Sequence, residues 1–169
     1  MTRAAGAIKL RGRRAKEPGP DMDFETVSPA AFGAALRGVG LNILVRDVEA
    51  EVRFLEQVFG MQGHRVSGDF AILTYHGQVL QLHGDHTYAE NPLLGLVPET
   101  PPRGAGVELR LYQTDPDAAA ARAAAAGGHV LQPPTDKPHG LRETFILCEN
   151  GYAWVASRPL EHVEQAPDL

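Results

Sequence analysis

The sequence contains almost no cysteine and no long apolar run. Cys148 is the only cysteine among 169 residues, which excludes an internal disulfide and a cysteine-based metal cage. No apolar stretch approaches the roughly 18 residues that a membrane-spanning helix needs. The first residues do not resemble a signal peptide, because basic residues continue to Lys16 and no apolar stretch follows. We therefore expect a soluble cytoplasmic protein with no membrane partner.

Positive charge is scarce after the first 20 residues. Residues 1–20 hold six Lys or Arg and one Glu, a net charge of +5, so the formal total of −5 leaves −10 for the remainder. A basic start of this kind is typical of an arm for nucleic acid or of a solvated extension. No aromatic residue lies among these charges to stack on bases, which argues against nucleic acid as a partner. We predict a flexible basic extension over residues 1–27.

One pattern of apolar residues occurs twice in the sequence. In "LNILVRDVEAEVRFLEQVFG", residues 41–60, apolar residues first alternate and then, after Asp47, recur at a spacing of about 3.6. The stretch "VELRLYQTDPDAAAARAAAAG", residues 107–127, changes in the same way after Asp115. A period of two indicates a strand and a period of about 3.6 indicates a helix, while each aspartate is a favoured helix cap. The pattern predicts two copies of one supersecondary unit.

Both copies have the same predicted order of elements: strand, helix, strand, strand, strand. Hairpin turns are predicted at His76-Gly77 and at Asn150-Gly151, where Asn-Gly is a strong turn signal. The proline-rich stretch between the copies predicts a linker. The predicted organisation is a basic extension (1–27), a short helix with the first module (28–83), the linker (84–104), the second module (105–158) and a C-terminal tail (159–169).

Two stretches resemble the vicinal oxygen chelate superfamily, which contains glyoxalase I, extradiol dioxygenases and bleomycin-resistance proteins. They are "LVRDVEAEVRFLEQVFGM", at the first strand-to-helix joint, and "GLRETFILCENGYAWVAS", at the end of the second module. The resemblance covers residues 38–158 and implies an α+β fold of two tandem βαβββ modules. These modules are expected to form a curved mixed sheet around a central cup, with the helices outside. The resemblance also implies a homodimer in which the cup is completed across the interface.

The two hairpin turns assign partner residues to the strands that flank them. Across His76-Gly77 we expect three pairs on the inner face, namely Thr74 with Val79, Ile72 with Gln81 and Phe70 with His83. Across Asn150-Gly151 we expect three further inner pairs, namely Cys148 with Ala153, Ile146 with Val155 and Thr144 with Ser157. On the side of the helices we expect a core formed by Trp154, Phe145 and Leu147.

The implied cup has an apolar floor and a few polar groups, which is typical of sites for small molecules. Strand alternation assigns these polar groups to the inner face. The predicted ligand-binding residues are Asn42, Gln81, His83, Glu108, Arg110, Tyr112 and Arg142.

Metal-dependent members of this superfamily take one ligand from the first strand and one from the last strand of each module. The corresponding positions here are Gly40, Gln81, Glu108 and Val155. Only Glu108 is a good ligand, since Gln81 offers a neutral carbonyl and the other two offer no donor. We therefore expect no metal cofactor. The alternative is a divalent metal in an altered site formed by Glu108, His83 and Gln81.

Three classes of function follow from the predicted cup. The favoured class is a metal-free protein that binds a small organic molecule, similar to the bleomycin-resistance branch. The alternative is an enzyme, a lyase or isomerase of the glyoxalase type with Glu108 as general base. An extradiol dioxygenase fits less well, because the set of two histidines and one carboxylate for iron is missing. The third class is an assembly module whose cup is closed by side chains. The sequence leaves open whether the protein is an enzyme.

Overall fold

The computed structural model of the protein describes residues 22–161. The basic part of the predicted extension, up to residue 21, and the tail beyond residue 161 lie outside the described residues. By its contacts the chain divides into two compact units, one ending at Val39 and one beginning at Gly40. In the first unit, helix α1 (Pro29–Ala35) begins after Ser28, whose side-chain oxygen accepts a hydrogen bond from the Ala31 N–H at 3.2 Å. Serine is a favoured residue at this capping position.

The first βαβββ module opens the second unit. Its strand β1 runs parallel to β4, and the other neighbouring strands are antiparallel, in the order β1-β4-β3-β2. Helix α2 begins after Asp47, whose carboxylate accepts the Ala50 N–H at 2.9 Å, and ends at Gly60 in a left-handed conformation. The elements of this module are β1 (Asn42–Val45), α2 (Val48–Phe59), β2 (Gln62–His64), β3 (Phe70–Tyr75) and β4 (Gln78–Gly84).

The second module repeats this topology, with strand order β5-β8-β7-β6. Asp115 caps its helix by accepting the N–H groups of Asp117 and Ala118. Its elements are β5 (Glu108–Tyr112), α3 (Pro116–Ala123), β6 (His129–Asp136), β7 (Leu141–Leu147) and β8 (Ala153–Pro159). The predicted α+β class and the two tandem modules are confirmed, and each sheet is open, with two edge strands.

The core lies where helices α2 and α3 meet. The two helices pack against each other, and each also packs against the sheet of its own module. The ring centroids of Phe59 and Trp154 lie 6.1 Å apart across the modules. A side-chain carbon at Gly128 would lie 2.6 Å from the ring of Phe54, so only glycine permits this close approach. The apolar residues that recur along α2 after Asp47 are buried, namely Val48, Val52, Leu55 and Phe59. Each such side chain contributes roughly 1.5–3 kcal/mol when fully buried.

One ion pair joins the two ends of the linker between the modules. The buried guanidinium of Arg103 donates to both carboxylate oxygens of Asp85 at 2.7 Å. The hydroxyl of Tyr152 donates to the carbonyl of Leu44 at 2.9 Å and thereby joins the second module to β1.

Within residues 22–161 no helix has the length and the apolar content that crossing a membrane requires.

The hairpin between β3 and β4 has the predicted register. His76 and Gly77 both have positive φ, which is the geometry of a two-residue type I′ turn. The observed pairs are those that the sequence predicts, Thr74 with Val79, Ile72 with Gln81 and Phe70 with His83.

The hairpin between β7 and β8 is shifted by one residue from the predicted register. The Gly151 N–H donates to the Cys148 carbonyl, and the Cys148 N–H donates to the Tyr152 carbonyl. With Gly151 at φ +79, this is a three-residue loop with a left-handed glycine at its end. The observed pairs are Leu147 with Ala153, Phe145 with Val155, Ile146 with Trp154, Thr144 with Ala156 and Glu143 with Ser157.

A shift of one residue moves every side chain of β7 to the opposite side of the sheet. Ile146 and Cys148, predicted to face the cup, belong instead to the core cluster with Trp154. Phe145 and Leu147, predicted as core, share a side with Val155 and Ala153. The predicted core position of Trp154 is confirmed, because it is 1% exposed.

Candidate ligand-binding site

We call the side of each sheet opposite its helix the open face. On the open face of the first module, Asn42 of β1 pairs with Gln81 of β4, and Leu44 pairs with His83. The side-chain amide of Gln81 donates to the amide oxygen of Asn42 at 2.9 Å. Two of the predicted residues therefore form one hydrogen-bonded amide pair, which leaves the Gln81 oxygen and the Asn42 amino group as one acceptor and one donor for a ligand.

His83 lies next to this amide pair in an aromatic setting. Its ring centroid is 5.0 Å from that of Phe70 and 5.2 Å from that of Tyr88. Burial lowers the pKa of His83, so the imidazole is neutral at neutral pH. Its Nε2 atom is buried and has no hydrogen-bond partner among the described residues. A neutral imidazole nitrogen of this kind can act as a donor or as an acceptor.

On the open face of the second module, one arginine joins two carboxylates. Arg110 donates to Glu108 at 2.9 Å and to Glu143 through a second nitrogen. The Nε2 atom of His139 lies 3.0 Å from the same Glu143 oxygen. Glu143 is 2% exposed, whereas the Glu108 side chain is half exposed. The Arg110 guanidinium also lies 5.8 Å from the ring centroid of Tyr112, which is itself exposed.

The pKa shifts in this cluster favour the ionised forms. Burial acts to raise the pKa of Glu143, but the hydrogen bonds from His139 and Arg110 outweigh it and hold the pKa below its ordinary value. Burial acts to lower the pKa of Arg110, and the bonds to Glu108 and Glu143 reverse this, so its pKa is raised. The cluster is therefore an ion pair network whose polar atoms are fixed in place before any ligand arrives.

Arg142 does not lie with these residues, so its predicted position on the inner face is wrong, and its contact with a ligand stays a prediction. Its guanidinium donates to both carboxylate oxygens of Asp117 on α3, at 2.7 and 2.8 Å, and to Asp136 at 2.7 Å. These bonds raise the pKa of Arg142. The shifted register of β7 explains the difference, because Arg142 is on the side of the helix and its neighbour Glu143 takes the open face.

Sequence reasoning missed Glu143 and His139. Glu143 follows Arg142 directly, and the assumed two-residue turn assigned it to the side of the helix. His139 lies in the turn between β6 and β7, and its contact with Glu143 spans that hairpin. The one available signal was the Asn-Gly turn itself, because the three-residue loop that it forms places Glu143 beside Arg110.

The four positions that correspond to metal ligands do not fit a divalent cation. Gly40 has no side chain, and Val155 is a buried aliphatic residue that pairs with Arg110. Glu108 accepts a hydrogen bond from a guanidinium, and Gln81 is engaged with Asn42. Among residues 22–161 no group of three or more His, Cys, Asp or Glu side chains is arranged to hold a metal ion. This donor set contrasts with the several carboxylate or imidazole ligands that such ions require.

The two modules meet through their helices and turns. Besides the packing of α2 on α3, the side chain of Asn150 in the β7–β8 turn accepts the Arg46 N–H at 3.2 Å and donates to Glu51 at 2.9 Å. The polar residues of the first open face and those of the second therefore lie on separate sheets.

Comparison with known proteins gives a consistent result. A sequence model described as the Glyoxalase/Bleomycin resistance protein/Dioxygenase superfamily matches residues 39–156. No curated protein is significantly similar in sequence.

Many solved structures share the fold. A glyoxalase-related enzyme from Fulvimarina pelagi aligns with a TM-score of 0.60 at 22% identity, over 73% of this chain and 88% of that one. A glyoxalase/bleomycin resistance protein/dioxygenase from Nocardioides aligns with a TM-score of 0.57 at 24% identity, over 78% and 89% of the two chains. The fosfomycin resistance protein FosX from Mesorhizobium loti aligns with a TM-score of 0.53 at 15% identity, over 75% and 95%. At these identities the likeness shows the fold alone.

Proposed function

Because the chain belongs to the Glyoxalase/Bleomycin resistance protein/Dioxygenase superfamily, we propose that it binds a small organic molecule on the open faces of its modules, without a resident metal. The observation that supports this most directly is the Glu108–Arg110–Glu143 network. It lies on a face whose other residues include Val155, Phe145 and Leu147. Apolar surface with a few fixed polar groups is how binding sites for small molecules are commonly built.

The network is also a costly way to stabilise a fold. Desolvating a buried carboxylate such as Glu143 opposes folding, and a hydrophobic replacement of a buried ion pair is often neutral or stabilising. An ion pair network that faces outward from the core is therefore better explained by recognition of a ligand than by packing. Arg110 donates to only one oxygen of Glu108, and the other oxygen is available to a ligand donor.

The absence of a resident metal is part of the proposal, and Arg110 supports it. Its guanidinium lies between Glu108 and Glu143, where it already neutralises the carboxylates that would attract a dication. A fixed positive charge at this distance also repels a second cation. The alternative, a lyase or isomerase with Glu108 as general base, lacks comparable support, because one oxygen of this carboxylate already accepts a hydrogen bond from Arg110.

We propose further that two copies of the chain form a homodimer that brings a first open face opposite a second one. The edge strands β1 and β5 are preceded by the exposed apolar residues Leu41 and Val107. By contrast, the edge strand β6 contains Pro133 and Pro134, which protect an edge from pairing. Unprotected edges with apolar neighbours favour pairing with a second copy.

Sedimentation velocity tests the dimer. We expect the wild-type chain to sediment as a dimer and Val107→Glu as a monomer. Val66→Glu, at another exposed apolar site, in the β2–β3 loop, is the matched control and should leave the dimer intact. A monomeric wild type, or equal behaviour of the two variants, would contradict the proposed assembly.

Thermal unfolding with a library of small organic molecules tests binding, because a ligand of the native state raises the melting temperature. The protein is first treated with EDTA. We expect ligands that raise the melting temperature of the treated protein and whose effect is lost in Glu108→Gln. Glu49→Gln removes a carboxylate from an exposed Glu–Arg pair on α2 and should keep the effect.

Each other outcome of that screen has a defined meaning. Ligands that act only after a divalent metal is restored would overturn the metal-free site and favour the lyase or isomerase. No active ligand under either condition would favour the assembly module. The cytoplasmic location and the lack of a nucleic acid partner stay predictions.

A further inference from the structure

Lys137 brings a positive charge to the second open face. It lies in the turn between β6 and β7, and it is the only lysine after residue 16. Its ammonium nitrogen lies 5.7 Å from the ring centroid of Phe145, which shares that face with Val155 and Leu147. Lys137 is half-buried, so its side chain lies along the sheet instead of extending into solvent. The contact with the ring holds the ammonium group over apolar surface.

No carboxylate within residues 22–161 forms an ion pair with this ammonium group, because the carboxylates near it have other partners. Asp136, the preceding residue, accepts a hydrogen bond from Arg142 at 2.7 Å. Glu143, on the strand that follows the turn, accepts a hydrogen bond from Arg110. The aromatic ring attracts the cation but supplies no negative charge to neutralise it. Lys137 is therefore a fixed cation on this face whose charge the described residues leave uncompensated.

The surface beside Lys137 is apolar and extends towards Glu108. Phe145, Leu147 and Ala153 are each partly exposed on the open face. Ala153 pairs with Glu108 across strands β8 and β5. The second open face thus has a cation on one side, apolar surface in the middle and a carboxylate on the other side.

We propose that the ligand of the second open face is a small organic carboxylate, paired with Lys137 and with its hydrocarbon part on Phe145 and Leu147. The ammonium group has three N–H donors, and a carboxylate supplies acceptors and negative charge together. The bound carboxylate points away from Glu108, because like charges repel. This inference rests on the proposed function, since it names the class of ligand that one open face takes.

Three probes of similar shape and different charge test the class of ligand. The full chain, labelled with ¹⁵N and treated with EDTA, is titrated at equal ionic strength with 3-phenylpropanoate, 3-phenylpropan-1-ol and 3-phenylpropylammonium. We expect saturable shifts of the Lys137, Phe145 and Leu147 amide signals with the carboxylate. The alcohol and the ammonium ion should bind roughly tenfold more weakly or worse, because neither makes the charged hydrogen bond to Lys137.

Three variants show whether the charge of Lys137 is responsible. Lys137→Met removes the charge but keeps an unbranched side chain against Phe145, and the dissociation constant of 3-phenylpropanoate should rise roughly tenfold or more. Lys137→Arg keeps a cation at this position, so its dissociation constant should stay within roughly threefold of the wild-type value. Arg53→Met removes a positive charge from α2, far along the chain, and should bind 3-phenylpropanoate as the wild type does.

The outcomes separate this inference from the proposed function. Equal or tighter binding of the alcohol or the ammonium ion, with shifts on this face, would overturn the carboxylate class and leave the open face as a binding site. Shifts confined to other parts of the chain, no saturable shift with 3-phenylpropanoate, or unchanged affinity in Lys137→Met would overturn the inference as well. Whether the open faces bind any ligand is decided independently by the thermal unfolding screen with the library.

Discussion

Arg110 of β5 donates a hydrogen bond to Glu143 of β7, a carboxylate that is 2% exposed. Both residues lie on the open face of the second module, with β8 between their strands. The same guanidinium holds Glu108 at 2.9 Å. One arginine thus fixes two carboxylates, one buried and one reachable by a ligand. Glu108, which was predicted to contact a ligand and, as the alternative, to act as a general base or a metal ligand, is therefore one end of an ion pair network.

Removing Arg110 should destabilise the protein. In Arg110→Met the buried Glu143 carboxylate loses its guanidinium partner, and we expect a loss of about 2 kcal/mol or more in the free energy of unfolding. Urea denaturation at neutral pH measures this loss. Arg53→Met removes an arginine from an exposed ion pair and should change stability by no more than about 0.5 kcal/mol. Adding Glu143→Gln to Arg110→Met should restore part of the loss, and equal effects of Arg110→Met and Arg53→Met would contradict the network.

The Asn150 side chain should be essential to the contact between the modules. Asn150→Ala removes the donor to Glu51 and the acceptor of the Arg46 N–H, both at a site that is 4% exposed. We expect a loss of about 2–3 kcal/mol in the free energy of unfolding. Asn91→Ala, which removes one exposed hydrogen bond to Leu93, is the control and should cost less than about 1 kcal/mol. Similar losses in the two variants would show that Asn150 does not hold the β7–β8 turn against the first module.

Glu51 should make stability fall as the pH rises. Burial raises the pKa of Glu51 above its ordinary value of 4.5, although hydrogen bonds from Asn150 and its neighbours oppose this. The folded state then binds more protons than the unfolded state above pH 4.5, so wild-type stability is lost as the pH rises through the folded pKa. Glu51→Gln removes this dependence. The stability of Glu51→Gln relative to wild type should increase between pH 4 and pH 8 by about 1 kcal/mol or more, and a flat or opposite trend in urea titrations would contradict it.

Cys148 should be inert in the folded protein. Burial is the main cause that raises the pKa of its thiol to about 12, and the nearby Glu51 carboxylate adds to it. The thiolate is the reactive form, so the native protein should react with Ellman's reagent far more slowly than the protein in urea. Because Cys148 is the only cysteine, the absorbance change reports this site alone. Rapid stoichiometric reaction without denaturant would place the thiol outside the core.

The two hairpins show how far the sequence could predict this structure. Repeated aspartate caps and a change of apolar period predict both modules, because these signals are local. His76-Gly77 forms the two-residue turn that its sequence suggests, and every pair across it is as expected. Asn150-Gly151 also forms a turn, but Glu149 joins it to make a loop of three residues. A choice between two and three residues depends on what the turn docks against, here Arg46 and Glu51 of the other module.

The length of the β7–β8 loop determines which side chains of β7 lie at the candidate site. With the observed loop, Glu143 faces Arg110 and Arg142 faces Asp117, whereas the assumed loop exchanges the two. The packing of α2 against α3 was equally beyond local patterns, because it depends on side chains far apart in sequence. The polar residues of β1, β4 and β5 lie on the predicted face of each sheet, since alternation along a strand needs no knowledge of its neighbours.

The most direct test of the account is to map where ligands bind on protein that has been stripped of metal. After EDTA treatment, the ¹⁵N-labelled chain is titrated with the molecules that raise its melting temperature, and the amide shifts are assigned. We expect saturable shifts on the open faces, at Gln81, His83, Arg110 and Glu143, with no metal present. Ligands whose shifts fall elsewhere, or that bind only once a divalent metal is returned, would contradict it.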